Sequence, residues 1–132
     1  MELIEGMTFQ ELQEEAYDHA KKVGFHDKKV PFPEFIAFLH SEISEALEAH
    51  RSGGSLILKD VNAVYFEASE WESGITFATY EDFDKDCIQT ELADVVIRIM
   101  DFCGENEINL ESFIIAKMGY NRTRGYKHGK NY

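Results

Sequence analysis

The chain holds few of the residues that brace small or secreted domains: of 132 residues, two are cysteine, two proline and one tryptophan. Cys87 and Cys103 are 16 positions apart, and on one helix that separation is ~24 Å at ~1.5 Å per residue, too far for a disulfide. No second pair stands at metal-ligand spacing, so both thiols read as small buried hydrophobes in a reducing compartment. Long apolar runs are missing too. No segment is apolar for long enough to span a bilayer, and Met1-Glu2-Leu3-Ile4-Glu5 lacks the basic flank and apolar stretch of a secretory signal. A cytoplasmic location without a membrane partner is therefore expected. Basic residues are in short supply, 13 Lys and Arg against 25 Asp and Glu, for a formal net charge of −12. Most of such a surface repels a phosphate backbone, which argues against nucleic acid as a partner.

Acidic residues are themselves absent from one region. All 25 lie at or before Glu111, whereas the last 16 residues carry Lys117, Arg122, Arg124, Lys127 and Lys130 and no carboxylate. That tail is the obvious anion-seeking segment. What is present otherwise is ordinary for one folded domain over residues 1–132: hydrophobic residues are 44% of the chain and charged residues 29%, and this length buries a core without disulfides or metals.

The hydrophobic pattern is helical. Thr8 followed by Glu11 is a capping-box signature, after which Phe9, Leu12, Ala16, Ala20 and Val23 recur at helical spacing up to Gly24. A loop over 25–32 leads to a second helix from Glu34 to Arg51, with Phe35, Ile36, Leu39, Ile43, Ala46 and Leu47 on its apolar arc and Ser52-Gly53-Gly54 at its end. A third helix runs from about Asp84 to near Gly104 through Ile88, Leu92, Val95, Val96, Ile99 and Phe102. Asn109 caps a fourth, whose stripe is Leu110, Phe113, Ile114 and Met118, stopping before Gly125. Residues 52–83 form an excursion with period-two hints at Leu56 and Leu58, Val64 and Phe66, and Ile75 and Phe77, read as irregular chain or short strands. Trp71 lies within it, where a lid, an interface and a local mini-core are all open. The expected architecture is all-α, resembling a four-helix bundle.

Glu42-Ile43-Ser44-Glu45 on the second helix and Glu91-Leu92-Ala93-Asp94 on the third each place two acids at i and i+3, on one side of a helix and at the edge of its apolar arc. Packing the two helices together would gather four carboxylates. Like charges ~5 Å apart at an effective dielectric of ~20 repel by roughly 3 kcal/mol per pair. Either protonation or a divalent cation must relieve that, and an all-oxygen set suits Mg²⁺ or Mn²⁺. Di-iron bundles place a His three residues after a Glu, which neither motif does. A lone E-x-x-E is usually just solvated; two on core-flanking edges are less ordinary. His40 and His50, at about 160° from Glu42 in projection, point away from the acids and read as surface residues or as supports behind the ligands, rather than as ligands.

Helical projection also puts Lys117 and Asn121 in the arc of Leu110 and Ile114, aimed inward near the end of the fourth helix, where a lysine needs an anion. The rival is that cations there simply stabilise the helix dipole, by ~0.3–1 kcal/mol each. Phe25, Phe32 and Phe38 could stack on a base, but core packing is the simpler role for all three.

Taken in order, Glu42-x-x-Glu45, Glu91-x-x-Asp94 and Lys117-x-x-x-Asn121-x-x-Arg124, with the phrase Lys117-Met118-Gly119-Tyr120-Asn121-Arg122-Thr123-Arg124-Gly125-Tyr126-Lys127-His128-Gly129, resemble the MazG-like nucleoside triphosphate pyrophosphohydrolases. The likeness covers most of the chain except residues 52–83. It implies an all-α dimer or tetramer, Mg²⁺ held by Glu42, Glu45, Glu91 and Asp94 (with Mn²⁺ a possible substitute), and cleavage of a nucleoside triphosphate between its α and β phosphates to a monophosphate and pyrophosphate. By the same resemblance Glu42 and Glu45 are the catalytic candidates, and Lys117, Asn121, Arg122 and Arg124 contact phosphate or sugar. One departure stands out: 45 residues separate Glu45 from Glu91, a longer interval than the family leads one to expect. A non-catalytic helical module that binds a nucleotide or metal is the alternative, as is a structural oligomer whose acids merely face solvent. Turnover separates the first from an enzyme, and a metal-independent melting temperature would mark the second.

Overall fold

The computed structural model describes residues 6–52 and 85–131. It is all-α: helices α1 (Phe9–Lys22), α2 (Phe32–Arg51), α3 (Ile88–Glu105) and α4 (Leu110–Arg122), then a short 3-10 turn over Tyr126–Gly129, with no strand among the described residues. The expected excursion and Trp71 lie outside them. Among the described residues no helix is long and apolar enough to cross a membrane.

The chain divides into two compact units, one of residues 1–29 with 97–132 and the other of residues 30–96, so α3 contributes its first half to the second unit and its second half to the first. In the first unit, the α1 capping box is complete: Glu11 N–H donates to Thr8 Oγ1 at 3.2 Å and Thr8 N–H donates to Glu11 Oε2 at 2.7 Å. Two of the donors that a helix start leaves open are thereby satisfied. The helix ends as a Schellman turn, with Phe25 N–H on the Ala20 carbonyl, Gly24 N–H on that of Lys21, and Gly24 at φ +91°. Ala20, Met100 and Cys103 are buried here, and Gln13, buried with them, donates from Nε2 to the Ile108 carbonyl at 2.8 Å. Gly104 is where α1 and α3 come closest: a Cβ there would lie 2.5 Å from Tyr17 Cβ. Asn109 caps α4 by accepting from Ser112 N–H at 3.1 Å.

In the second unit α2 begins two residues before the expected Glu34, because Pro33 sits in the first turn, where its missing N–H costs nothing. The regular turns of α3 start at Ile88 rather than near Asp84, since Lys85 and Asp86 form a turn and the Cys87 carbonyl takes the first helical bond, from Glu91 N–H at 3.0 Å. Thr90 Oγ1 donates to the same carbonyl at 2.9 Å. Ala46, Cys87 and Glu91 are the buried residues of this unit among those described.

A carboxylate cluster as the candidate metal centre

α2 carries Glu42 and Glu45 one turn apart, and the first turns of α3 carry Glu91 and Asp94. The two helices bring carboxylate oxygens of Glu42, Glu91 and Asp94 together, all within 4.8 Å of one another. Glu42 is half-buried, Glu91 has only 7% of its surface exposed, and Asp94 opens to solvent. Glu45 is exposed beside them and hydrogen-bonds to Glu91 through its side chain. All four acids expected at the site are thus neighbours, three as one tight group and the fourth at its edge. His40 and His50 are both exposed, as expected of surface residues.

Glu91 holds its proton more tightly than an ordinary carboxyl. Burial is the largest cause, followed by the charge of Glu45, the charge of Asp94, the hydrogen bond with Glu45 and the charge of Asp86. The helix dipole favours an anion in the first turn of α3, by ~0.3–1 kcal/mol, and is outweighed. A buried carboxyl among other acids gains its charge readily only if a cation joins it.

The donor set fits a hard divalent ion. Two oxygens on opposite sides of Mg²⁺ stand ~4.2 Å apart and around Ca²⁺ ~5 Å, twice the usual metal–oxygen distance. The carboxylate oxygens of this cluster, within 4.8 Å of one another, lie close to those spans. An open cleft of ≈ 450 Å³ adjoins the group, bordered by Glu45, Glu48, Lys85, Asp86, Glu91 and Asp94. Among the described residues Lys85 is the one cation on that border, with Nζ 3.6 Å from Asp86 Oδ1. The described part of this lining is mostly acidic and attracts cations.

The basic residues lie on the other unit. Lys117 does not point inward as its projection suggests: it is exposed, with Nζ 4.8 Å from the centre of the Tyr120 ring. α4 fully buries none of its residues, and of the projected arc Leu110 and Asn121 are half-buried whereas Lys117 lies open. Asn121 is partly buried, Arg122 exposed in the last turn, and Arg124 lies 5.8 Å from the Tyr120 ring while donating from Nη2 to the His128 carbonyl at 3.2 Å. Lys127 and His128 follow in the left-handed region, at φ 51° and 52°. Phe25, Phe32 and Phe38 are exposed rather than packed in a core.

Comparison of the chain with protein-family models, with curated proteins and with solved structures finds no match.

Proposed function

We propose that this protein is a MazG-like pyrophosphohydrolase that cleaves a nucleoside triphosphate between the α and β phosphates in the presence of Mg²⁺. The observation that carries the reading is the convergence of Glu42, Glu91 and Asp94 from two helices, with Glu91 buried and reluctant to ionise. A merely solvated acidic face would have left these side chains apart and exposed. Glu42, Glu91 and Asp94, with Glu45 beside them, would hold the ion, which when bound supplies Lewis-acid polarisation of phosphoryl oxygens and a more acidic water.

The chain's own groups divide the remaining work. Glu45, exposed at the cleft and hydrogen-bonded to Glu91, and Glu42 orient the attacking water and accept its proton. Lys117, Arg122 and Arg124 are candidates to neutralise charge gathering on the pyrophosphate, and Asn121 to contact phosphate or sugar.

A second copy of the chain is the proposed partner. Phe113 is 67% and Ile115 63% exposed on α4, Phe38, Ile43 and Leu47 stand open on α2, and Leu92 and Val96 on α3. Several of these are the positions that the helical periodicity assigns to a core, and apolar surface on this scale supports association.

The test is incubation with each dNTP and Mg²⁺, with the products read by phosphorus NMR. Monophosphate plus pyrophosphate, lost in Glu42→Gln, is the expected result. Orthophosphate alone, or undiminished activity in the variant, would end the proposal.

A further inference from the structure

A second charged cluster lies in the unit of residues 1–29 with 97–132, outside the acidic site. The Schellman turn that ends α1 delivers His26 against α3, where Nε2 is 2.6 Å from Asp101 Oδ1 and Nδ1 is 2.8 Å from Glu105 Oε2. Both partners are carboxylates that only accept when ionised, whereas a neutral imidazole has a single N–H to give. Only the doubly protonated ring serves both at once. From these contacts we infer that His26 is a proton-operated latch, tying the end of α1 to two successive turns of α3 when charged and releasing one of them when neutral.

The geometry also says which contact opens. Asp101 is the more deeply placed partner, with 15% of its side chain exposed against 39% for Glu105. Glu105 has an alternative donor in the Tyr17 hydroxyl, and solvent on its other side. A neutral ring therefore keeps its N–H on Asp101 and turns the bare Nδ1 lone pair towards Glu105, which repels it. Other described residues face this cluster too. From α1 come Tyr17, whose ring meets the imidazole edge-on at 5.2 Å, and Lys21, whose ammonium lies 4.1 Å from the Tyr17 ring centre. Asp27 follows in the same turn, and on α3 Arg98 lies 5.1 Å from the Phe25 ring. Lys21 counters Glu105 only across the Tyr17 ring, so it does not replace the imidazolium between the two acids.

Both acids are held together only while the ring carries two N–H groups. Glu105→Gln separates this from ordinary packing, because an amide can accept from a charged ring or donate to a neutral one. Full-length wild type and Glu105→Gln are unfolded thermally across about pH 5 to 8, the range in which histidine changes charge. The gap in melting temperature between wild type and variant should change across that range, the other histidines cancelling in the difference. Nitrogen NMR of the wild-type imidazole should show both ring nitrogens protonated at the acidic end and a bare Nδ1 at the alkaline end. A constant gap in melting temperature, or a single neutral tautomer throughout, overturns the inference.

Discussion

Glu91, buried at the start of α3, meets the side chain of Glu45 from α2, and burial first and the charge of Glu45 second make Glu91 hold its proton more tightly than an ordinary carboxyl. A proton on Glu91 takes the place of positive charge in the acidic cluster. A divalent ion bound by Glu91 must displace it, which links metal affinity to pH and to the stability of the unit itself.

The first consequence concerns the metal-free protein. The folded-state value for Glu91 is raised above the ordinary 4.5, so from that pH upward the folded chain holds a proton that the unfolded chain has already released. Stability then falls as the pH rises through the window between the two values. Glu91→Gln removes the titration. With a chelator present, the variant should match wild type near about pH 4 and melt roughly 4 °C higher near about pH 7. A wild type that melts above the variant at neutral pH would contradict the assigned cause.

Gly104 tests the helix packing of the first unit. A methyl group at that position would lie 2.5 Å from Tyr17 Cβ, which no rotamer of Tyr17 can relieve. Gly104→Ala should destabilise by about 2 kcal/mol despite its gain in helix propensity. Denaturant unfolding measures it, and a neutral or stabilising effect would mean that α1 and α3 are not in such close contact.

The exposed face of α4 makes a prediction about assembly. Sedimentation equilibrium should give a mass at least twice that of one chain, and Phe113→Glu with Ile115→Glu should lower it to the monomer value. An unchanged mass in the double variant would place the interface elsewhere.

Much of the fold was legible in the sequence because its signals are local. The Thr8 and Glu11 capping box, the Asn109 cap and the 3.6-residue periodicity each depend on neighbours within one turn, and α1 and α4 stand where they put them. The acidic centre was visible for a related reason: Glu42 with Glu45 and Glu91 with Asp94 are each one turn apart, so only the packing of two helices had to be supposed. What was missed depends on distant contacts or on other surfaces. His26 gives no local sign that it will meet Asp101 and Glu105, some 75 positions or more along the chain. Yet Asp101 and Glu105 continue the three-four spacing of Glu91, Asp94 and Arg98 on α3, a polar stripe that could have been read as a second site. Lys117 was misjudged because helical projection assumes that a whole arc is buried, whereas α4 fully buries none of its residues.

Titration calorimetry with Mn²⁺ or Mg²⁺ goes most directly to the claim that Glu42, Glu91 and Asp94 form one metal centre. Saturable binding is expected, with heat that depends on the buffer because the ion displaces the proton that Glu91 holds, and with loss of binding in Glu42→Gln, Glu91→Gln and Asp94→Asn alike. No binding at millimolar metal, or equal affinity in wild type and all three variants, would contradict it.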